Sequence, residues 1–235
     1  MDHLAINKAR VVYYSFFASF FAFDFGKDHY DRGVHALEAL IQSPIDEQSA
    51  LAFSNLKRRC KNGGFAAFAR ENNNIFSDPS SEPIPTTASF YDENRDDGRQ
   101  RLRMIDYVIQ SKYRRNAESF KEHEDHIEFI LLFLARLIEE QTQGVKPSGD
   151  LAKAVFTNIL NPMLDDFTDN LFNHRQSFIY KQLALALRSF TELERVYLDV
   201  GKPTKTNNRK RTRAEEIQKK GTEQGCIRMN SSFTM

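Results

Sequence analysis

One string concentrates the side chains that could do chemistry: KEHEDHIEFILLFLARLIEE, from Lys121 to Glu140. Asp125 stands immediately before an apolar run and Glu128 follows three residues later. A carboxylate in the first place can accept from the free amides of an opening helical turn while the second reaches back, the pattern of a capping box. Such a cap needs no ligand and contributes about 1 kcal/mol. His123 and His126, with Glu122, Glu124 and Asp125, also supply imidazole and carboxylate, the ligand types of zinc or iron centres. Against a metal, the two histidines are three apart across a helix boundary, and no second ligand-rich helix faces them in any recognisable spacing. The third reading is recognition. Glu122, Glu124, Asp125 and Glu128 would make a focused negative patch, and a pair of arginines on a partner peptide is the cation best able to engage it bidentately. Asp92, Glu93, Asp96 and Asp97 would extend that acidic side.

Other chemistries lack their residues. No serine sits on a glycine elbow, no cysteine pairs with a recognisable histidine, and no glycine loop cradles phosphate; Gly63-Gly64 reads as a turn. Cys60 and Cys226 lie far apart, outside metal or redox spacing, which fits a reducing compartment. The expectation is a protein without catalysis, cofactor or bound metal.

The elements that must position the string read as helices. Leu4 to Phe23 is apolar on every face, as in a helix buried inside a bundle. Tyr30 to Gln42 spaces Val34, Leu37, Leu40 and Ile41 three and four apart and stops at Ser43-Pro44. Asp46 to Lys61 predicts another helix, broken at Gly63-Gly64, followed by a short one over Phe65 to Asn72. NNNIFSDPSSEPIPTTASFY then predicts a long ordered loop. Helical spacing returns over Asp97 to Ser119 and, most clearly, over Asp125 to Gln141. TQGVKPSGD, between Gln141 and Asp150, reads as a hinge between two sub-bundles. Leu151 to Leu160 ends before Asn161-Pro162, and a long last helix runs from about Met163 to Val200 with an interruption near Asn173 and His174. No strand pattern is present, so the predicted fold is one all-α bundle of nine to eleven helices over residues 1–201.

Charge separates the body from its end. From Lys202 to Met235 nine Lys or Arg face three Glu, a net +6, which leaves −5 on the rest of a chain whose total is +1. Residues 202–235 carry no periodic apolar face and are expected to be a basic, disordered tail. An acidic body argues against nucleic acid as a partner. Twenty Phe, eight Tyr and no Trp make Phe the expected core filler. The run Val11 to Phe23 is too short for a bilayer, and no small-x-small cleavage site follows it, so stable membrane insertion and secretion are not expected.

The order of these features resembles the TorD/DmsD family of redox-enzyme maturation chaperones. Its signature, Glu-Pro-x-Asp-His before an apolar helix, is matched by Glu122-His123-Glu124-Asp125-His126 with His123 in place of the proline. Tyr14, Phe17, Ala18, Phe20 and Phe21 fall in the frame of the family's opening helix, with Phe replacing Leu twice. Ile75-Phe76, Pro79, Pro83, Pro85 and Ser89-Phe90-Tyr91 resemble its middle loop, and SFIYKQLALALRSFTELE its closing helix. The resemblance spans about residues 9 to 200. It implies a cytoplasmic chaperone that binds the twin-arginine leader of the apo form of a molybdenum or tungsten oxidoreductase subunit until cofactor insertion. Glu122, Asp125, His126, Tyr91 and Asp92 are then the expected peptide-binding residues, in a monomer that a hinge swap could convert to a dimer. Two alternatives use the same residues differently: a helical interaction scaffold unrelated to redox enzymes, and a metal-dependent enzyme built on His123 and His126.

Overall fold

The first helix shows why phenylalanine fills this core. α1 (His3–Phe20) buries Tyr13, Tyr14, Phe16, Phe17 and Phe20 on several sides at once. Tyr13 stacks on Phe190 at 4.9 Å, Tyr14 meets the same ring edge-on at 4.9 Å, and Phe20 lies 5.3 Å from Phe68. Flat rings on one helix thereby reach two neighbours far along the chain, Phe68 and Phe190. The computed structural model describes residues 3–204, and its helical body runs through Pro203. The expected tail from Lys205 onward lies outside the described residues.

Against α1 pack α2 (Lys27–Gln42) and α6 (Ile127–Thr142). The α1–α2 approach requires Gly33, where a Cβ would come within 2.5 Å of the Phe20 ring. α3 (Glu47–Phe76) starts at a capping box: Asp46 Oδ1 accepts from Ser49 N at 2.7 Å, and Ser49 Oγ accepts from Asp46 N. The expected break at Gly63-Gly64 is a kink, with Gly64 at φ +53°, after which the helix runs on to Phe76 instead of ending near Asn72. A left-handed φ at that point is one that glycine adopts without strain.

Two short helices follow, α4 (Ala88–Glu93) and α5 (Arg99–Ile109). The latter stops well before Ser119. Arg114 donates to the carbonyls of Val108, Ser111 and Tyr113, and Ser111 Oγ donates to Val108, so side chains take over the acceptors that a continuing helix would use. α7 (Lys146–Val155) begins three residues after α6, so only Gln143, Gly144 and Val145 remain of the predicted hinge; Ser148 Oγ donates to Glu140 at 2.7 Å across it. α7 then passes through a wide turn, Phe156–Leu160, into α8 (Asn161–Asn173). Asn161-Pro162 was expected to end a helix. The widened π turn accommodates the proline, which has no N–H to bond back and a ring that crowds the preceding turn.

α9 (Ile179–Leu198) packs on α3 and α8, after the expected interruption at His174. Its first amides are capped from another helix: Glu71 Oε1 accepts from Phe178, Ile179 and Tyr180 N at 2.7, 2.6 and 2.9 Å. Among the described residues the nine helices enclose one hydrophobic core and no strand is formed, in agreement with the predicted fold class. No described helix is long and apolar enough to cross a membrane.

Candidate functional site

The candidate residues gather where the segment before α4 meets the start of α6. Thr87 and His126 pair as an isolated antiparallel bridge, with Ala88 N donating to Asp125 O at 2.9 Å and Ile127 N to Thr86 O at 2.8 Å. This contact joins residues far apart in sequence and fixes the start of α6 against the segment before α4.

The cap differs from the expected one. His126, not Asp125, is the N-cap of α6, and its Nδ1 accepts from Glu128 N at 3.2 Å. The proton of the neutral ring is therefore on Nε2. Burial lowers the imidazole's pKa to about 4, so it is neutral near pH 7. Asp125 is fully buried and caps the other helix: its Oδ2 accepts from Ser89 N in the first turn of α4 at 2.9 Å. Its Oδ1 is buried with no partner.

The negative patch expected from the acids does not form. Glu124 is held between Arg115 at 2.8 Å and Arg101 at 3.1 Å, which together keep its carboxyl below the usual range against the opposing effect of burial. Glu128 turns inward, where burial pushes its pKa up to about 7, and accepts from Phe23 N at 3.0 Å. His29 Nε2 lies 3.6 Å from the same carboxylate, and since burial also lowers the imidazole's pKa this is a close approach more than a salt bridge at neutral pH. Of the string's acids, Glu122 stays half exposed, and among the described residues its carboxylate has no ion pair.

The second acidic run is also engaged. Asp92 lies 3.3 Å from Arg99, Glu93 binds Arg95 and Arg99, Asp96 accepts from Thr87 Oγ1 at 2.6 Å, and Asp97 pairs with Arg101. Tyr91 is buried; its hydroxyl donates to Pro85 O at 2.9 Å and its ring meets Phe167 edge-on. Thus Asp125 and His126 are brought together with α4, whereas Tyr91 faces the core and Asp92 faces α5. His123 is half exposed and does not share a ligand geometry with buried His126; among the described residues no group of three His, Cys, Asp or Glu is placed to hold a metal.

Sequence reasoning missed the aromatic surroundings of His126. Phe23, 57% exposed in the α1–α2 turn, meets the imidazole edge-on at 6.2 Å, and Phe120 does so at 6.1 Å. Phe129 lies 5.5 Å from Phe120 and is half buried. Phe129 carried a signal in its place on the apolar face of the helix, whereas Phe23 was expected inside the buried first helix, which ends at Phe20 instead and leaves the ring exposed.

Among curated proteins, none matches the chain. A family model described as nitrate reductase delta subunit matches residues 42–169, a stretch that runs from the end of α2 into α8 and includes the whole Asp125–His126 junction. The match covers more than half of the chain, and the protein belongs to this nitrate reductase delta subunit family, the TorD-like chaperones of molybdoenzymes.

Proposed function

We propose that this protein is a cytoplasmic, non-catalytic chaperone that binds the twin-arginine leader of an apo molybdenum or tungsten oxidoreductase subunit and holds it through cofactor insertion. The observation that carries this reading is the orphan oxygen of Asp125. A buried carboxylate oxygen without a donor costs about 1–3 kcal/mol, and a guanidinium is the side chain that supplies the strongest donor to it. The 86–89 segment beside it is held by Ala88 N on Asp125 O, Ile127 N on Thr86 O and Ser89 N on Asp125 Oδ2, with Thr87 Oγ1 donating to Asp96 and Ser89 Oγ accepting from Arg101 N.

In this account the leader's first arginine meets half-exposed Glu122, and the second reaches Asp125 as the 86–89 segment shifts. His126 and Tyr91 position that segment and α4, Asp92 borders it, and the leader's apolar stretch lies on Phe23, Phe120 and Phe129. Residues 1–201 act as a monomeric chaperone domain and the basic residues 202–235 as a separate tail. The test is calorimetric titration with a client leader peptide and a copy in which both arginines are glutamine, without added metal or nucleotide. The arginine leader binds at least about tenfold more tightly, a difference of 1.4 kcal/mol; equal affinities would sink the proposal.

A further inference from the structure

A second charged surface, sharing no residue with the Asp125 junction, lies where the kink of α3 faces the start of α9. The stretch from Lys57 to Arg70 holds five bases and no acid, on a body whose formal charge is negative. Two of these, Arg59 and Arg70, line a cavity of about 610 Å³ together with Arg175 and the exposed ring of Phe178. Among the described residues, no ion pair or hydrogen bond occupies the three guanidinium groups. Glu71 lines the same cavity and its charge interacts with Arg59, but it is largely buried and its Oε1 is spent on the α9 amides. Three guanidinium groups against one carboxylate leave an excess of positive charge around the cavity, which costs stability unless a further anion neutralises it.

The cavity continues into a second one of about 400 Å³, the two meeting at Arg175 and Gln176. Asn62, Asn74 and Gln176 add side-chain amides to the walls, and Glu82, at the far end, is the acid of the second lobe. We infer that this groove docks an acidic, aromatic-bearing extended segment of a protein partner, its carboxylates on Arg59, Arg70 and Arg175 and its ring against Phe178. Length favours a peptide over a small anion. Amide side chains pair with both the N–H and C=O of an extended main chain, and guanidinium forks match carboxylates bidentately. Because Glu71 already fills the α9 N-terminus, the side chains and not the helix amides carry the recognition.

The probe is a fluorescent synthetic peptide of alternating Glu and Gly with one Phe, beside a copy with Gln for Glu, titrated into the full chain at low salt. Arg59→Gln, Arg70→Gln and Arg175→Gln each weaken binding about two- to fivefold, the scale of exposed charge pairs, while Arg103→Gln on α5 leaves it unchanged. The triple variant binds the Glu peptide no better than wild type binds the Gln copy. It also melts no lower than wild type, because repulsion has been removed. Three results overturn the inference: a triple variant that binds like wild type, which would assign binding to the basic tail; equal binding of the Gln copy; or displacement of the peptide by inorganic pyrophosphate that itself binds more tightly. If the triple variant does not fold, the three single variants set against Arg103→Gln decide the matter.

Discussion

The two ends of α1 handle buried charge in opposite ways. Near its start, Arg10 donates to Glu194 at 2.6 and 2.8 Å and to Asn7 at 2.9 Å, and Tyr14 donates to Glu194 at 2.6 Å. Guanidinium, carboxylate and phenol are all buried and all paired. Beyond its other end, Glu128 accepts from Phe23 N, its pKa is raised by burial, and neighbouring Asp125 keeps an oxygen without a donor. The first region is closed: each of its buried polar side chains has an internal partner, so it tethers α9 to α1 and offers little to a binding partner. The second holds comparable groups incompletely satisfied. Incomplete satisfaction is where a ligand can gain what the fold leaves unused.

The largest effect expected from breaking this contrast is at the closed end. Glu194→Ala strands the buried Arg10 and the Tyr14 hydroxyl, and urea unfolding should show a loss of about 3–5 kcal/mol, with leader affinity of the folded protein unchanged. A loss below 1 kcal/mol would mean that the network is not closed.

The next effect separates the open end by pH. Glu128 has its folded pKa raised to about 7 from 4.5, so the stability it contributes is complete below pH 4.5 and is lost as pH rises through 7. His126 has its folded pKa lowered to about 4 from 6.5, so its charging in the unfolded chain removes stability as pH falls from 6.5 towards 4. Each spans about 3 kcal/mol at 1.36 kcal/mol per unit, and between pH 4.5 and 6.5 they cancel. Glu128→Gln keeps an acceptor for Phe23 N and removes one side of the balance. Its stability relative to wild type should climb by about 3 kcal/mol from pH 4.5 to 7.5. A constant difference across that range would show that Glu128 is not held near neutrality.

Much of the fold was legible and the interior of the site was not, for one physical reason. Periodic apolar residues announce a helix locally, so α2, α6 and the division of α8 from α9 follow from sequence. Caps supplied from elsewhere leave no local mark. Asp125 meets Ser89 across 36 positions and Glu71 meets Tyr180 across 109. A local reading therefore gave the α6 cap to Asp125, although His126 holds it. The same limit hid Arg115 and Arg101 as the owners of Glu124, which sequence assigned to an open acidic patch. Proline was misread the other way: Pro162 signals a stop, yet a wide turn carries the helix past it.

A smaller effect is expected from the chain beyond the described body. Lys202 pairs with Glu192 at 2.9 Å and Gly201 O accepts from Asn161, so the body extends slightly past the expected boundary. Truncation after Thr204 should change unfolding free energy by no more than about 0.5 kcal/mol, as for surface changes away from packed features. A larger loss would show that the tail docks.

The most direct test of the central claim is Asp125→Asn, read by leader titration beside thermal melts. Asn can still accept from Ser89 N, and it caps about as well as Asp, so the melt should shift by less than about 1 kcal/mol of stability. If the orphan oxygen receives a leader arginine, affinity should fall by about 1.5–3 kcal/mol, the scale of hydrogen bonds to charged groups. Added salt should then weaken the wild-type complex more than the Asn complex. Unchanged affinity with an unchanged melt would reduce Asp125 to the cap of α4 and contradict the account.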